Sequence, residues 1–111
     1  MQILSITVRG DGAETVPRAI AEIDSAGRFD YEGDGFAIVV LERFYYRILA
    51  SVQTTVVFEL VDDEILEVTI VAGGGATKLA KADHDAEGDH LRRIAKAIER
   101  YCQRRDLEVD R

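Results

Sequence analysis

Residues 36–75, FAIVVLERFYYRILASVQTTVVFELVDDEILEVTIVAGGG, hold three strand-like runs in succession. In the middle run, Val52, Thr54, Val56, Phe58 and Leu60 alternate with Ser51, Gln53, Thr55, Val57 and Glu59. That period of two is what a half-buried strand requires, since successive side chains leave opposite faces. The third run, Ile65 to Ala72, repeats the pattern and offers Leu66, Val68, Ile70 and Ala72 to the same core. Asp62-Asp63 reads as the hairpin turn between these two runs, and Gly73-Gly74-Gly75 as the strand end. The first run extends from about Phe36 to Leu49. Gly33-Asp34 joins it to a short strand, Arg28 to Glu32, in a tight hairpin. Phe29 and Tyr31 then share a face with Phe36, Ile38 and Val40.

Outward from this meander, Gln2 to Arg9 alternates Leu4, Ile6 and Val8 with Ser5, Thr7 and Arg9 and reads as a first strand. A helix is expected from Thr15 or Val16, with Pro17 in its first turn, the stripe Val16, Ala19, Ile20 and Ile23, and Gly27 as the C-terminal cap. A second amphipathic helix is expected from an N-cap at Asp89, carrying Leu91, Ile94, Ile98, Tyr101 and Cys102 on one face. The resulting order, β-α-β-β-β-β-α, predicts a single α+β domain over residues 1–111. Its layout would be a curved antiparallel sheet with both helices on one face, and residues 106–111 would form a fraying tail. This strand order resembles that of TATA-binding-protein-like and helix-grip folds, a likeness of topology alone. The other sheet face would show Val57, Ile65, Val71 and some of Val39, Leu41 and Tyr45, a mixture that predicts a homo-oligomer.

The chain carries 21 acidic and 14 Lys or Arg residues, a formal charge of −7. Affinity for nucleic acid rests on neutralising phosphates, so that balance opposes a nucleic-acid partner. The charge is uneven: residues 1–89 hold 17 acids against 7 bases, residues 90–111 only 4 acids against 7 bases. The basic end reads as a solvated helix face or, alternatively, a docking surface. No apolar run is long enough for a membrane span, and the first residues lack the basic start of a signal peptide, so a cytoplasmic protein is expected. The single cysteine, Cys102, excludes an internal disulfide and reads as a small buried hydrophobe.

Few residues carry chemistry. Asp83-His84-Asp85-Ala86-Glu87-Gly88-Asp89-His90 mixes imidazoles and carboxylates, which makes His84, Asp85 and His90 candidate metal ligands. Neither the His-x-x-x-His spacing nor a calcium-loop pattern is present, however, and an acidic approach to a helix N-terminus explains the same residues. Gly73-Gly74-Gly75-Ala76-Thr77-Lys78 fails as a phosphate loop because Thr precedes Lys. No cofactor is implied, nor any nucleophile with its base, so a non-catalytic binding or interaction module is favoured over an enzyme. Glu42 falls on the core face if the hairpin register persists, unless a bulge near Leu41 turns it outward. On the core face, Glu42 with Tyr46 would form the polar end of a small-ligand cavity between sheet and helices. Arg43 and Arg47 could stack on Tyr45 or bind a carboxylate, or else pair across strands as Arg43/Glu59 and Arg47/Glu67.

Leu41-Glu42-Arg43-Phe44-Tyr45-Tyr46-Arg47, Thr54 to Phe58 and Val71-Ala72-Gly73-Gly74-Gly75 before a terminal helix together resemble an uncharacterised family of small prokaryotic proteins. That family pairs an aromatic Glu-Arg-Tyr-Tyr-like strand with a triple-glycine strand end. The likeness spans Leu41 to Tyr101, although Asp85-Ala86-Glu87-Gly88 stands where a Trp-Gly-Ala-Glu-like step is expected. It implies a fold and no activity.

Overall fold

The computed structural model describes residues 1–46, 49–73 and 80–111, with the backbone alone for 80–85. The chain is α+β. Strand β1 (Gln2–Arg9) leads to a 3-10 helix (Ala13–Ile20); β2 (Gly27–Gly33), β3 (Phe36–Tyr45), β4 (Ala50–Asp62) and β5 (Ile65–Gly73) follow; helix α1 (Ala80–Arg104) and β6 (Glu108–Asp110) close it. The sheet is antiparallel in the order β2-β3-β4-β5-β1-β6. Both helices cover the same face of this curved sheet, as the alternation predicts. No helix among the described residues is long and apolar enough to cross a membrane.

The strict alternation of β4 and β5 holds. Val56, Phe58, Val68 and Ile70 are buried under the helices, alongside Ile6 and Val8 of β1 and Ile94 and Ile98 of α1. Cys102 is buried as a free thiol in the same core, its pKa raised by burial and then by the charge of Glu99. A hydrogen-bond chain fixes the helices to each other: Tyr101 donates to Thr15 Oγ1 at 2.7 Å, and Thr15 donates to the Gly12 carbonyl at 2.7 Å. Gly88 lies where α1 passes β1: an added Cβ would stand 3.0 Å from Arg92 Nη1 and 3.2 Å from Gln2 Nε2, and those side chains would have to shift.

Five expectations need correction. The first helix is a 3-10 segment that ends at Ile20, and Gly27 opens β2 instead of capping a helix. With three residues per turn, Ala13, Val16 and Ala19 line one ridge, and Pro17 falls mid-segment, where no regular α ladder could use its missing N–H. The Arg28 guanidinium closes this helix, donating to the carbonyls of Ile20 at 2.8 Å and Ala21 at 3.2 Å. Helix α1 starts nine residues before Asp89, so Asp89 lies within the helix and is no N-cap. The turn between β4 and β5 falls at Asp63-Glu64, after an irregularity between Leu60 and Asp62. Residues 108–110 are an ordered edge strand on β1, and Arg111 pairs with Glu99 of α1.

The fifth correction concerns β3. Its pairing with β2 is as expected, Phe29 opposite Val40 and Tyr31 opposite Ile38, but the face is reversed. Val39 stands opposite Val56 and Leu41 opposite Thr54, so Ala37, Val39, Leu41, Arg43 and Tyr45 face the helices. Phe36, Ile38, Val40, Glu42 and Phe44 face away with Val57, Ile65 and Val71, and no register shift occurs within β3.

Candidate functional site

Because the inner parity of β3 is odd, its last two inward residues, Arg43 and Tyr45, project beyond the apolar core toward α1. The facing stretch of α1 brings Asp89, Arg93, Lys96 and Arg100 to one side at spacings of three and four. His90 turns inward from the same turn and is 1% exposed. Ile23 and Asp24, in the loop after the 3-10 helix, form the opposite wall. These elements enclose a cleft of about 440 Å³, lined by Arg43, His90, Arg93, Lys96 and Arg100, with Asp24 the one acid among its described residues. A second recess of about 540 Å³, beside Tyr45, Asp89 and Arg92, shares Arg43 and Arg93 with it.

The polar floor is tightly arranged. His90 Nδ1 hydrogen-bonds Thr54 Oγ1 at 2.7 Å, and Thr54 itself is fully buried. His90 Nε2 and Arg43 Nε are buried without a hydrogen-bond partner among the described residues. Leaving such a group unpaired costs about 1–3 kcal/mol, so two within one cleft mark it as built to meet something polar. Burial, then the charges of Arg43 and Arg93, lower the His90 pKa to about 4 against the opposing pull of Asp89, so the imidazole is neutral near pH 7. Tyr45 donates to Asp89 Oδ2 at 2.7 Å, and Arg93 Nε donates to the same oxygen at 2.9 Å. Burial raises the Asp89 carboxyl pKa, but these hydrogen bonds outweigh it and hold the group below its usual range. Burial and the bond to Asp89 push the Tyr45 phenol up to about 12. Asp89 thus satisfies Arg93, while Arg43, Lys96 and Arg100 have no ion pair among the described residues.

The candidates read from the sequence are scattered. Arg43 enters the cleft and lies 5.6 Å from the centre of the Tyr45 ring, one of the alternatives open to it. It faces Val52 across β4, whereas Glu59 stands opposite Phe36 on the other face, so the Arg43/Glu59 pair does not form. Glu42 is on the open face opposite Gln53, away from the helices, and Tyr46 is 83% exposed in the turn after β3. The cavity proposed between them is therefore not formed by these residues. Arg47 and the side chains of His84 and Asp85 lie outside the described residues. Among the described residues, no group of three or more His, Cys, Asp or Glu is arranged to hold a metal ion. A wider recess of about 630 Å³ near Asp11, Glu14 and Asp62–Glu64 is, by contrast, acidic.

Sequence reasoning missed Thr54, Arg93, Lys96 and Arg100. The signal for the last three was present in the basic excess of residues 90–111 and in the 93-96-100 spacing. No protein-family model matches the chain, and neither does any curated protein or solved structure.

Proposed function

We propose that this chain is a non-catalytic binding module, cytoplasmic in setting, that takes a small anionic ligand in the cleft between α1 and the end of β3. The observation that carries this reading is the buried Nε2 of His90, unpartnered among the described residues, beside Arg43 in a cleft whose described lining holds four cations and one acid, inside a chain of charge −7. Guanidinium and ammonium groups on a partly desolvated wall bind phosphate or carboxylate oxygens through charge-assisted hydrogen bonds. A neutral His90 adds a polar atom without adding charge, and Thr54 fixes its ring. The Thr54 hydroxyl beside the imidazole is fully buried, out of reach of a substrate, so the cleft suits binding better than turnover.

Calorimetric titration with inorganic phosphate at low ionic strength tests the reading. Binding is expected, weakening as salt rises. Arg43→Ala should lower affinity by about 10- to 100-fold, the worth of one charged hydrogen bond. Lys96→Ala and Arg100→Ala should each do less. Absence of heat, together with an unshifted melting temperature at high phosphate, would sink it.

A second reading, self-association through the open sheet face, rests on the exposure there of Ile3 (61%), Phe44 (40%) and Phe36 (37%) beside Ile38, Val40 and Val57. Glu42, Glu59 and Glu67 on that face, against Arg9, weigh against two copies meeting there.

A further inference from the structure

Strand β2 is an edge of the sheet, paired on one side with β3 alone among the described residues. Which of its backbone groups face outward follows from hydrogen-bond parity. Leu60 donates its backbone N–H to the Gly35 carbonyl at 2.8 Å, continuing the ladder in which Phe36 faces Glu59. Hydrogen-bonded pairs alternate along an antiparallel ladder, so Ala37, Val39 and Leu41 turn their N–H and C=O toward β4. Phe36, Ile38, Val40 and Glu42 then turn theirs toward β2. Their partners there, Gly33, Tyr31, Phe29 and Gly27, are used up, and the free edge presents the backbone of Arg28, Asp30 and Glu32.

That edge lacks the proline and lysine that often guard a free strand, and its charges, Arg28, Asp30 and Glu32, are its one protection. Its residues from Arg28 to Gly33 are exposed, and it carries Phe29 and Tyr31 at 60% and 57% exposure. Its side chains are also self-complementary. Laid antiparallel on a second copy about a two-fold axis at Asp30, the strand overlaps itself from Gly27 to Gly33. Arg28 then stands opposite Glu32 of the second copy, twice by symmetry, and Phe29 stands opposite Tyr31, also twice. The three outward residues of each strand fall in hydrogen-bonded positions, giving three pairs with two backbone bonds each. The aromatic pairs fall between them in the closer, non-hydrogen-bonded positions. Asp30 meets its own copy at the axis, but each carboxylate is already held by Arg28 through two bonds of 2.7 and 2.9 Å. Glu32 has no ion pair among the described residues; the facing Arg28, already donating to Asp30, Ile20 and Ala21, would attract it chiefly through its charge. Centring on Tyr31 instead would oppose Asp30 to Glu32 and is disfavoured.

We propose that β2 is a self-association edge: two copies join β2 to β2 antiparallel about Asp30, making one continuous sheet of twelve strands. Because both copies use the same edge, the assembly closes at two. The edge is distinct from the anion cleft, and it meets the open sheet face only at Phe29 and Tyr31, so the proposal stands whether or not the cleft binds phosphate.

Sedimentation of the full chain across the micromolar range tests it, with a mass of twice 12.3 kDa expected at the upper end. Glu32→Pro removes an outward N–H that β3 does not use, and it should return the mass to 12.3 kDa with an unchanged circular dichroism spectrum. Glu32→Arg, which sets two cations face to face without touching the backbone, should do the same and covers the case in which the proline variant fails to fold. Val57→Glu, on the open face, should leave the dimer intact. A wild-type monomer at every concentration overturns the proposal, as does a dimer that survives Glu32→Arg or one that Val57→Glu alone abolishes.

Discussion

Lowering the pH from 7 to 4 should remove about 3 kcal/mol of folding stability, most of it through one imidazole. His90 is held neutral in the folded protein, its pKa lowered from 6.5 to about 4, first by burial and then by the charge of Arg43. In the unfolded chain the same group takes up a proton near pH 6.5. The unfolded state therefore binds more protons throughout the interval between these values, and stability falls as pH falls. The contribution is complete above pH 6.5, is lost progressively down to about 4, and changes no further below that. Asp30 and Asp89 act in a lower window. Their depressed pKa values give stability that is present above the ordinary carboxylate range and is lost only as pH drops beneath it. Urea unfolding at a series of pH values checks this, with His90→Gln as the comparison: glutamine keeps a polar group near Thr54 but cannot titrate. The variant's stability should vary much less between pH 6.5 and 4.5. A wild-type curve as flat as the variant's would show that His90 is not held neutral by its surroundings.

Phe58→Ala should cost about 3–5 kcal/mol, a large share of the roughly 5–15 kcal/mol that keeps a domain folded. Phe58 is 1% exposed and is the largest fully buried side chain. It stands on β4 between Ala37 of β3 and Val68 of β5, on the face that the helices cover. Both neighbours are small and sit on strands fixed by ladders on two sides, so neither can move to fill the space that the ring would leave. The cost is therefore transfer of the ring plus a cavity that stays open. Denaturant titration should show the midpoint falling with the slope m unchanged. A loss below about 1 kcal/mol would mean that the core collapses around the deletion.

The two edges of the core differed in how plainly the sequence announced them. In β4 and β5 the residues Ser51, Gln53, Thr55, Glu59, Glu67 and Thr69 put most of the polarity on one parity, so it could be read directly. In β3 the run Phe36-Ala37-Ile38-Val39-Val40-Leu41 is apolar at both parities, and the aromatic residues suggested the wrong one. What decides it is coverage. Helix α1 and the 3-10 helix lie over β4, β5 and β1, while β2 extends past them, and its inner residues are Arg28, Asp30 and Glu32. Small residues of β3 suffice under the helices, and the aromatics are left outside. The alternation of charge in β2 was the available clue. Asp89 misled for a related reason: an acidic, glycine-containing run looks like a helix approach, yet Ala86 within it is buried with Val52. Arg43 and His90 had each been singled out, one as a sheet-face cation and the other as a metal ligand. Their meeting depends on β3 parity and on the true start of α1, and neither of these was legible locally.

The place of β1 between β5 and β6 has a consequence for how the chain finds its structure. Strands β2 to β5 form by successive hairpins, each closing a short loop. Pairing β1 with β5 joins residues separated by 56 positions (Arg9 to Ile65) up to 70 (Gln2 to Ala72), and β6 reaches back further still. Loop-closure entropy grows with that separation, and contacts of long span slow folding. Strand β1, which precedes the others in the chain, is thus among the last to find its neighbours. Until it does, Leu66, Val68 and Ile70 of the meander lack part of their cover, and the nascent sheet carries a second open edge besides β2.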